Sequence, residues 1–246
     1  MKIIGSYVSP YVRKVLACLN LKGLDYEIDP ITPFMGGEEF TRLSPLRRIP
    51  VLIDGDVVLC DSSVICAYLE EAYADRPPLL PKNVKDRARA RWFEEYADTR
   101  MGDVFIWGLF YQRIVHPAVW REPGDTARVE KTLAEDAPAV LDYLEGQLPT
   151  GGFLFGEIGV ADISIASFFR NAAYAGYDID RARWPVTAAF VAHTLEHPAL
   201  ASLLPFEQAQ ISAHPSGRRE ALKAAGARLI AESVGTREPQ KGIMPL

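Results

Sequence analysis

Lys2-Ile3-Ile4 runs into Ser6-Tyr7-Val8-Ser9-Pro10-Tyr11-Val12-Arg13-Lys14-Val15, and this junction decides how the first third of the chain reads. The apolar run is strand-like. From Pro10 the spacing is helical, with proline in the first turn, where its missing amide costs nothing, and Gly23 past the end. Outward from this strand and helix, Tyr26-Glu27-Ile28-Asp29 alternates like a second strand, and Glu38 to Leu43 reads as a short polar helix. Val51-Leu52-Ile53 and Val57-Val58-Leu59 flank Asp54-Gly55-Asp56, a hairpin turn because Gly and Asp tolerate positive φ. Ser62 to Tyr73 follows as a capped amphipathic helix. The order βαβαββα needs one right-handed crossover between parallel strands and ends in an antiparallel hairpin, so it predicts a small mixed sheet covered by helices.

Asp75-Arg76-Pro77-Pro78-Leu79-Leu80-Pro81 breaks the last of these helices, since proline lacks an amide donor and drives the residue before it to extended geometry. The expected organisation is an α/β domain over 1–76, a linker over 77–82, an all-helical domain over 83–210 and a partly helical tail over 211–246. Helical periodicity covers Val84 to His116, Asp125 to Gln147, Val160 to Ala175 and Arg183 to Leu195, and in the tail Arg219 to Val234.

Composition bounds the function. With 48% hydrophobic and 24% charged residues among 246, the chain has ordinary globular usage, which argues against disorder and membrane-spanning bundles. No apolar stretch reaches the roughly 18 residues of a spanning helix, and the N-terminus turns polar too early for a signal peptide, so the expected compartment is the cytoplasm with no membrane partner. A net charge of −5 gives no field to attract nucleic acid, although the last thirty residues hold six basic side chains against three acidic ones. Cys18, Cys60 and Cys66 form no C-x-x-C pair and read as small hydrophobes in a reducing compartment. His193 and His197 lie four apart without the H-E-x-x-H order or an evident third ligand, so no metal site is expected.

The loop from Ser6 to Ser9 places hydroxyls at the mouth of a helix N-terminus. Unpaired amides and the helix dipole favour an anion there, and a thiolate is one such anion. Ser9 read alone is equally a simple cap. Asp61 and Ser62 likewise precede a helix and read as its N-cap. Phe105, Trp107, Phe110 and Tyr111 form an aromatic stripe that suits either a core or the wall of an apolar pocket.

Three ordered motifs, Ser9-Pro10-Tyr11 before a helix, Ser44-Pro45-Leu46-Arg47-Arg48-Ile49-Pro50-Val51, and Cys60-Asp61-Ser62-Ser63-Val64, together resemble the glutathione S-transferase superfamily. A fourth, Gly156-Glu157-Ile158-Gly159-Val160-Ala161-Asp162, sits where that family begins a buried helix of its second domain. The resemblance covers about residues 1 to 205. It implies a thioredoxin-like domain followed by an all-helical one, a homodimer, and glutathione as co-substrate. It further implies a cis bond at Ile49-Pro50, with the Ile49 backbone pairing the cysteinyl part of glutathione. Asp61 and Ser62 match positions that hold the γ-glutamyl end, and Arg48 could approach a ligand carboxylate. Two departures stand out: Arg47 replaces a frequent glycine, and Gly159 stands where the family usually has a capping Ser or Thr.

Ser9 matches the position that is serine in theta-like and many bacterial members and cysteine in thiol-transferring ones; Tyr7 is the alternative, because other classes use a tyrosine near the end of the first strand. A serine cannot form a mixed disulfide, so it implies hydrogen bonding to the glutathione thiolate. A thiol of pKa near 8.5 is about 3% ionised at pH 7, and lowering it by about two units gives about 75% thiolate. The implied reaction is transfer to a small apolar electrophile, as in detoxification, with Tyr11, Phe105, Phe110 and Tyr111 as expected pocket residues. Glutathione-dependent isomerisation or dehalogenation and a non-catalytic interaction module of the same fold are the alternatives.

Overall fold

The computed structural model describes residues 1–241; the last five residues of the expected tail lie outside the described residues. The chain forms two compact units. One comprises the residues up to Pro78 together with those from Pro198 onward, and the other is Leu79–His197.

The first unit is built on β1 (Lys2–Ile4), α1 (Pro10–Lys22), β2 (Glu27–Asp29), α2 (Glu38–Leu43), β3 (Val51–Asp54), β4 (Val57–Cys60) and α3 (Ser62–Ala72), the predicted βαβαββα order. The sheet order is β2-β1-β3-β4, with β1 parallel to β2 and the other pairings antiparallel. Gly55 takes φ 61° in the hairpin turn, as the Asp-Gly signal requires. Gly23 ends α1 at φ 65°, its amide on the Asn20 and Leu19 carbonyls. Ile3, Val51, Leu52 and, from α1, Val15, Leu16 and Leu19 are wholly buried; each such side chain contributes about 1.5–3 kcal/mol.

The second unit is helical, as expected. It contains α4 (Val84–Tyr96), which widens without a break into a π-wound stretch over Ala97–Val115 and then α5 (His116–Trp120). After these come α6 (Thr126–Lys131), a short π turn at Thr132–Asp136, α7 (Ala137–Glu145), α8 (Val160–Tyr174) and α9 (Pro185–Glu196). α8 is the central element, with thirteen of its fifteen residues buried. Its start explains the unusual Gly159. The Val160 amide donates to the Leu79 carbonyl at 2.9 Å, and a Cβ on Gly159 would lie 2.7 Å from that same oxygen. The absent cap is replaced by Asp162, whose carboxylate accepts from the Gly159 amide at 2.9 Å and the Leu154 amide at 2.8 Å. Burial pushes the Asp162 carboxyl up to about 6 despite these bonds.

From Pro198 the chain joins the first unit as α10 (Pro198–Ala201), α11 (Leu204–Ser212) and α12 (Arg218–Ala224). The terminal helix expected over Arg219 to Val234 is therefore corrected: it stops at Ala224, and Gly226 follows at φ 95°. Beyond it the chain runs beside β2. The Ile28 amide donates to the Arg228 carbonyl at 2.9 Å and the Ile230 amide to the Ile28 carbonyl at 3.1 Å. The unpaired edge of β2 outcompetes helical periodicity, because its backbone groups need partners. Asp29, 1% exposed, fastens this segment by accepting from the Val234 amide, the Ser233 hydroxyl and the Arg219 guanidinium.

Two outcomes are expected for α8. Cap preference alone credits Gly159→Ser with a few tenths of a kcal/mol, but the contact with the Leu79 carbonyl should make it destabilising by about 1–3 kcal/mol in urea denaturation; a gain in stability would reject this account. The raised pKa of Asp162 means that its contribution is fully present below the ordinary carboxylate value near 4 and is lost as pH rises through about 6. The deficit of Asp162→Asn relative to wild type should therefore shrink between about pH 4 and pH 6.5, and a deficit independent of pH would contradict it.

Candidate functional site

Strand register assembles the site. Ile4 pairs with Val51, and Val51 pairs with Cys60. The loop leaving β1, the Ile49-Pro50 step entering β3 and the Asp61-Ser62 step leaving β4 therefore lie at one end of the sheet. Gly5 brings the first two into contact, since a Cβ there would lie 3.4 Å from the Ile49 Cβ and 2.5 Å from a Val12 methyl.

Ser9 caps α1 in extended geometry, φ −79° and ψ 129°, and its Oγ accepts from the Val12 amide at 3.4 Å. Capping uses an oxygen lone pair only. The hydroxyl proton stays available for an anion at the same helix terminus, so the two readings of Ser9 are compatible. Tyr7 faces the other way: it is 2% exposed, its ring lies 5.0 Å from that of Phe206, and burial, with Tyr26 adding to it, raises its phenol pKa. A phenol so enclosed offers no hydroxyl at the surface of the loop.

The Ile49–Pro50 bond is cis, and among the described residues neither the amide nor the carbonyl of Ile49 has a hydrogen-bond partner. Asp61 takes φ 82°, a costly value for a residue with a Cβ, and its Oδ1 accepts from the Ser63 and Val64 amides at 2.9 and 3.2 Å. Those bonds use Oδ1 and leave Oδ2 without a partner among the described residues, on an exposed side chain. Ser62 is buried, yet neither its hydroxyl nor its first-turn amide has a partner among the described residues. Lys14 ties α1 to this turn by donating to the Ser63 hydroxyl at 3.1 Å. The Arg48 side chain is exposed and without a polar partner among the described residues.

Arg47 was not singled out from sequence as more than a departure, and it proves structural. It takes φ 50°, the left-handed geometry in which glycine is at ease. Its buried guanidinium donates to the Thr41 hydroxyl at 2.5 Å and to the Gly36 and Pro33 carbonyls at 2.9 and 3.3 Å, and lies 5.7 Å above the Phe40 ring. Sequence reasoning also missed Glu207 and Gln210, whose side chains reach from α11 to Arg13 of α1 and to the Tyr7 amide of the β1–α1 loop.

The expected pocket aromatics divide. Tyr11 on α1 is half-buried. Phe105 is fully buried in the helical unit, its ring 4.9 Å from Phe169 and 6.0 Å from Tyr177. Phe110 and Tyr111 are also buried, and the Tyr111 hydroxyl accepts from the Trp120 indole at 3.0 Å. Helical spacing cannot separate these roles, because a core stripe and a ligand wall repeat alike. Among the described residues no group of three or more His, Cys, Asp or Glu is placed to hold a metal ion.

Comparison with known proteins gives the family of the chain. Residues 3–77 match the model of the glutathione S-transferase N-terminal domain, and residues 118–193 that of the C-terminal domain. Glutathione S-transferase 3 of Zea mays is 35% identical over 171 residues, covering 68% of this chain and 75% of that protein. A crystal structure of a glutathione S-transferase from Rhodospirillum rubrum superposes with a TM-score of 0.77 at 25% identity, covering 89% of this chain and 98% of the other. The holo structure of a maleyl pyruvate isomerase, a bacterial zeta-class member, gives 0.69 at 25% identity, covering 85% and 98%.

The Arg47 geometry sets a test of strain against bonding. Arg47→Gly relieves about 1 kcal/mol of left-handed strain but removes three charge-assisted hydrogen bonds, each worth about 1.5–3 kcal/mol. A net loss of about 3 kcal/mol or more is expected in chemical denaturation, and a more stable variant would show that strain dominates.

Proposed function

The chain belongs to the glutathione S-transferase family, and from that premise we propose that it binds glutathione, holds the thiol as a thiolate beside Ser9 and transfers it to an apolar electrophile. The observation that carries this reading is the Ser9 cap, which leaves a hydroxyl proton at the positive end of α1. Lowering a thiol pKa by about two units needs about 2.7 kcal/mol, within reach of one charge-assisted hydrogen bond and a helix terminus.

The unpaired Ile49 amide and carbonyl pair with the cysteinyl backbone as an added strand would. The Ser62 hydroxyl and amide take the γ-glutamyl carboxylate at the α3 N-terminus, and the unpartnered Asp61 Oδ2 faces its ammonium. Arg48, exposed and without a polar side-chain partner among the described residues, approaches a second carboxylate of the tripeptide. Tyr11 serves the electrophile side. Serine at position 9 makes this a serine-type member rather than a thiol transferase. We assign it to the cytoplasm as a homodimer acting in detoxification; no helix among the described residues is long and apolar enough to cross a membrane.

The likeness to the maleyl pyruvate isomerase favours one second reading, isomerisation, in which the same thiolate adds to a double bond and leaves again. Product analysis separates the two, because conjugation consumes glutathione and isomerisation returns it.

Calorimetry with glutathione between pH 6 and 9, with thiolate absorbance read in the same samples, tests the assignment. Ser62→Ala should weaken binding by about tenfold, the loss of one charge-assisted bond. Ser9→Ala should leave affinity nearly unchanged near pH 6, where the thiol is bound protonated, weaken it progressively toward pH 9, and return the bound thiol toward its free pKa near 8.5. Absence of binding at millimolar glutathione would overturn the function, and a bound thiol whose pKa stays as low in Ser9→Ala as in wild type would remove Ser9 from it.

A further inference from the structure

The reaction proposed above depends on where the Ser9 hydroxyl stands, and that loop is not held by its own sequence neighbours alone. Within the first unit, α11 is laid against it. Gln210, 3% exposed, accepts from the Tyr7 amide at 2.9 Å through Oε1 and donates from Nε2 to the Pro30 carbonyl at 3.2 Å. One amide group therefore spans the two loops that leave parallel neighbours β1 and β2. Four residues earlier Phe206 packs on the Tyr7 ring, and Glu207 accepts from Arg13 at 2.9 and 2.7 Å, both side chains fully buried. Residues 206, 207 and 210 share one helix face, so α11 grips the chain on both sides of Ser9, at Tyr7 and at Arg13.

Two polar side chains buried on one face of a nine-residue helix are expensive unless they find partners, and both partners found here flank Ser9. We propose that Gln210 is a positioning residue of the active site: by fixing the Tyr7 amide against Pro30 it sets the Ser9 hydroxyl in line with the glutathione sulfur. The inference rests on the glutathione reading and deepens it. A hydrogen bond to a developing anion depends steeply on placement, and a displacement of about 1 Å can cost about 100-fold in rate. Binding is left to Ile49, Asp61 and Ser62, which α11 does not touch in any hydrogen bond described above, so affinity and thiolate formation are separable.

The test uses the full chain with glutathione as the probe. Gln210→Met keeps the volume and removes both amide bonds; Gln210→Asn keeps the amide and shortens its reach. Leu222→Ala, a buried position in α12 with no hydrogen bond to the loop described above, serves as a packing control. Both Gln210 variants should raise the bound thiol's pKa by about one unit, lowering turnover at pH 6.5 by up to about tenfold, with glutathione affinity at that pH within about twofold of wild type. Turnover should recover at alkaline pH, where the thiol ionises unaided. Leu222→Ala should lower the thermal midpoint and leave the bound pKa where it was. If wild type lowers the thiol pKa and a folded Gln210 variant lowers it equally, the positioning role is overturned while the glutathione reading stands. A pKa change in Leu222→Ala matching that of the Gln210 variants also overturns it, because general loosening then accounts for both. If wild type binds no glutathione, the glutathione reading fails first and the positioning role with it.

Discussion

The pairing of Ile4 with Val51, and of Val51 in turn with Cys60, decides where chemistry can happen in this chain. A slip of one residue in either ladder would turn every strand side chain to the opposite face, so burial of Ile4, Val51 and Leu52 enforces the register. Once it is enforced, the β1–α1 loop, the cis Ile49–Pro50 step and the Asp61-Ser62 turn fall at one end of the sheet without further instruction. Two of the three segments then open helices, α1 and α3, so that end gathers two sets of first-turn amides. The arrangement follows from packing, and the selectivity comes from which hydroxyls and carboxylates cap those helices.

How much of this is visible in the residues depends on range. Ser9-Pro10 before α1, Gly23 after it and Asp-Gly between β3 and β4 are local signals, and they read correctly because caps and tight turns are decided within four or five residues. The cis bond at Pro50 and the family itself were legible through ordered motifs. Arg47 and Gly159 were legible only as departures. Their reasons lie in contacts with Gly36, Pro33 and Thr41 in one case and with the Leu79 carbonyl in the other, which no local pattern announces. The region beyond Ala224 misled for a related cause. Its apolar and charged residues alternate at helical spacing, yet the β2 edge offered backbone partners and the chain took them.

Placement of α11 is the least legible element and the most consequential for the site. Glu207 and Gln210 read in sequence as ordinary polar positions of a short helix. They become informative only when seen buried, because a buried carboxylate and a buried amide need partners, and theirs are Arg13 and the Tyr7 amide nearly two hundred residues earlier. The aromatic stripe of the helical unit makes the converse point. Its residues looked like ligand chemistry, and Phe105 is spent on Phe169 and Tyr177.

The return of the chain from Pro198 has a consequence for biosynthesis. The first unit begins with β1 but holds Arg13 and Asp29, two buried charges whose partners Glu207 and Arg219 are encoded some 190 residues downstream. A ribosome that has released β1 to α3 has therefore released a sheet with an open β2 edge and unmatched ions, while all of Leu79–His197 is still to emerge. The helical unit is contiguous in sequence, so all of its residues are released before the first unit can close. The sheet unit, although its strands precede the helical unit along the chain, is completed after it.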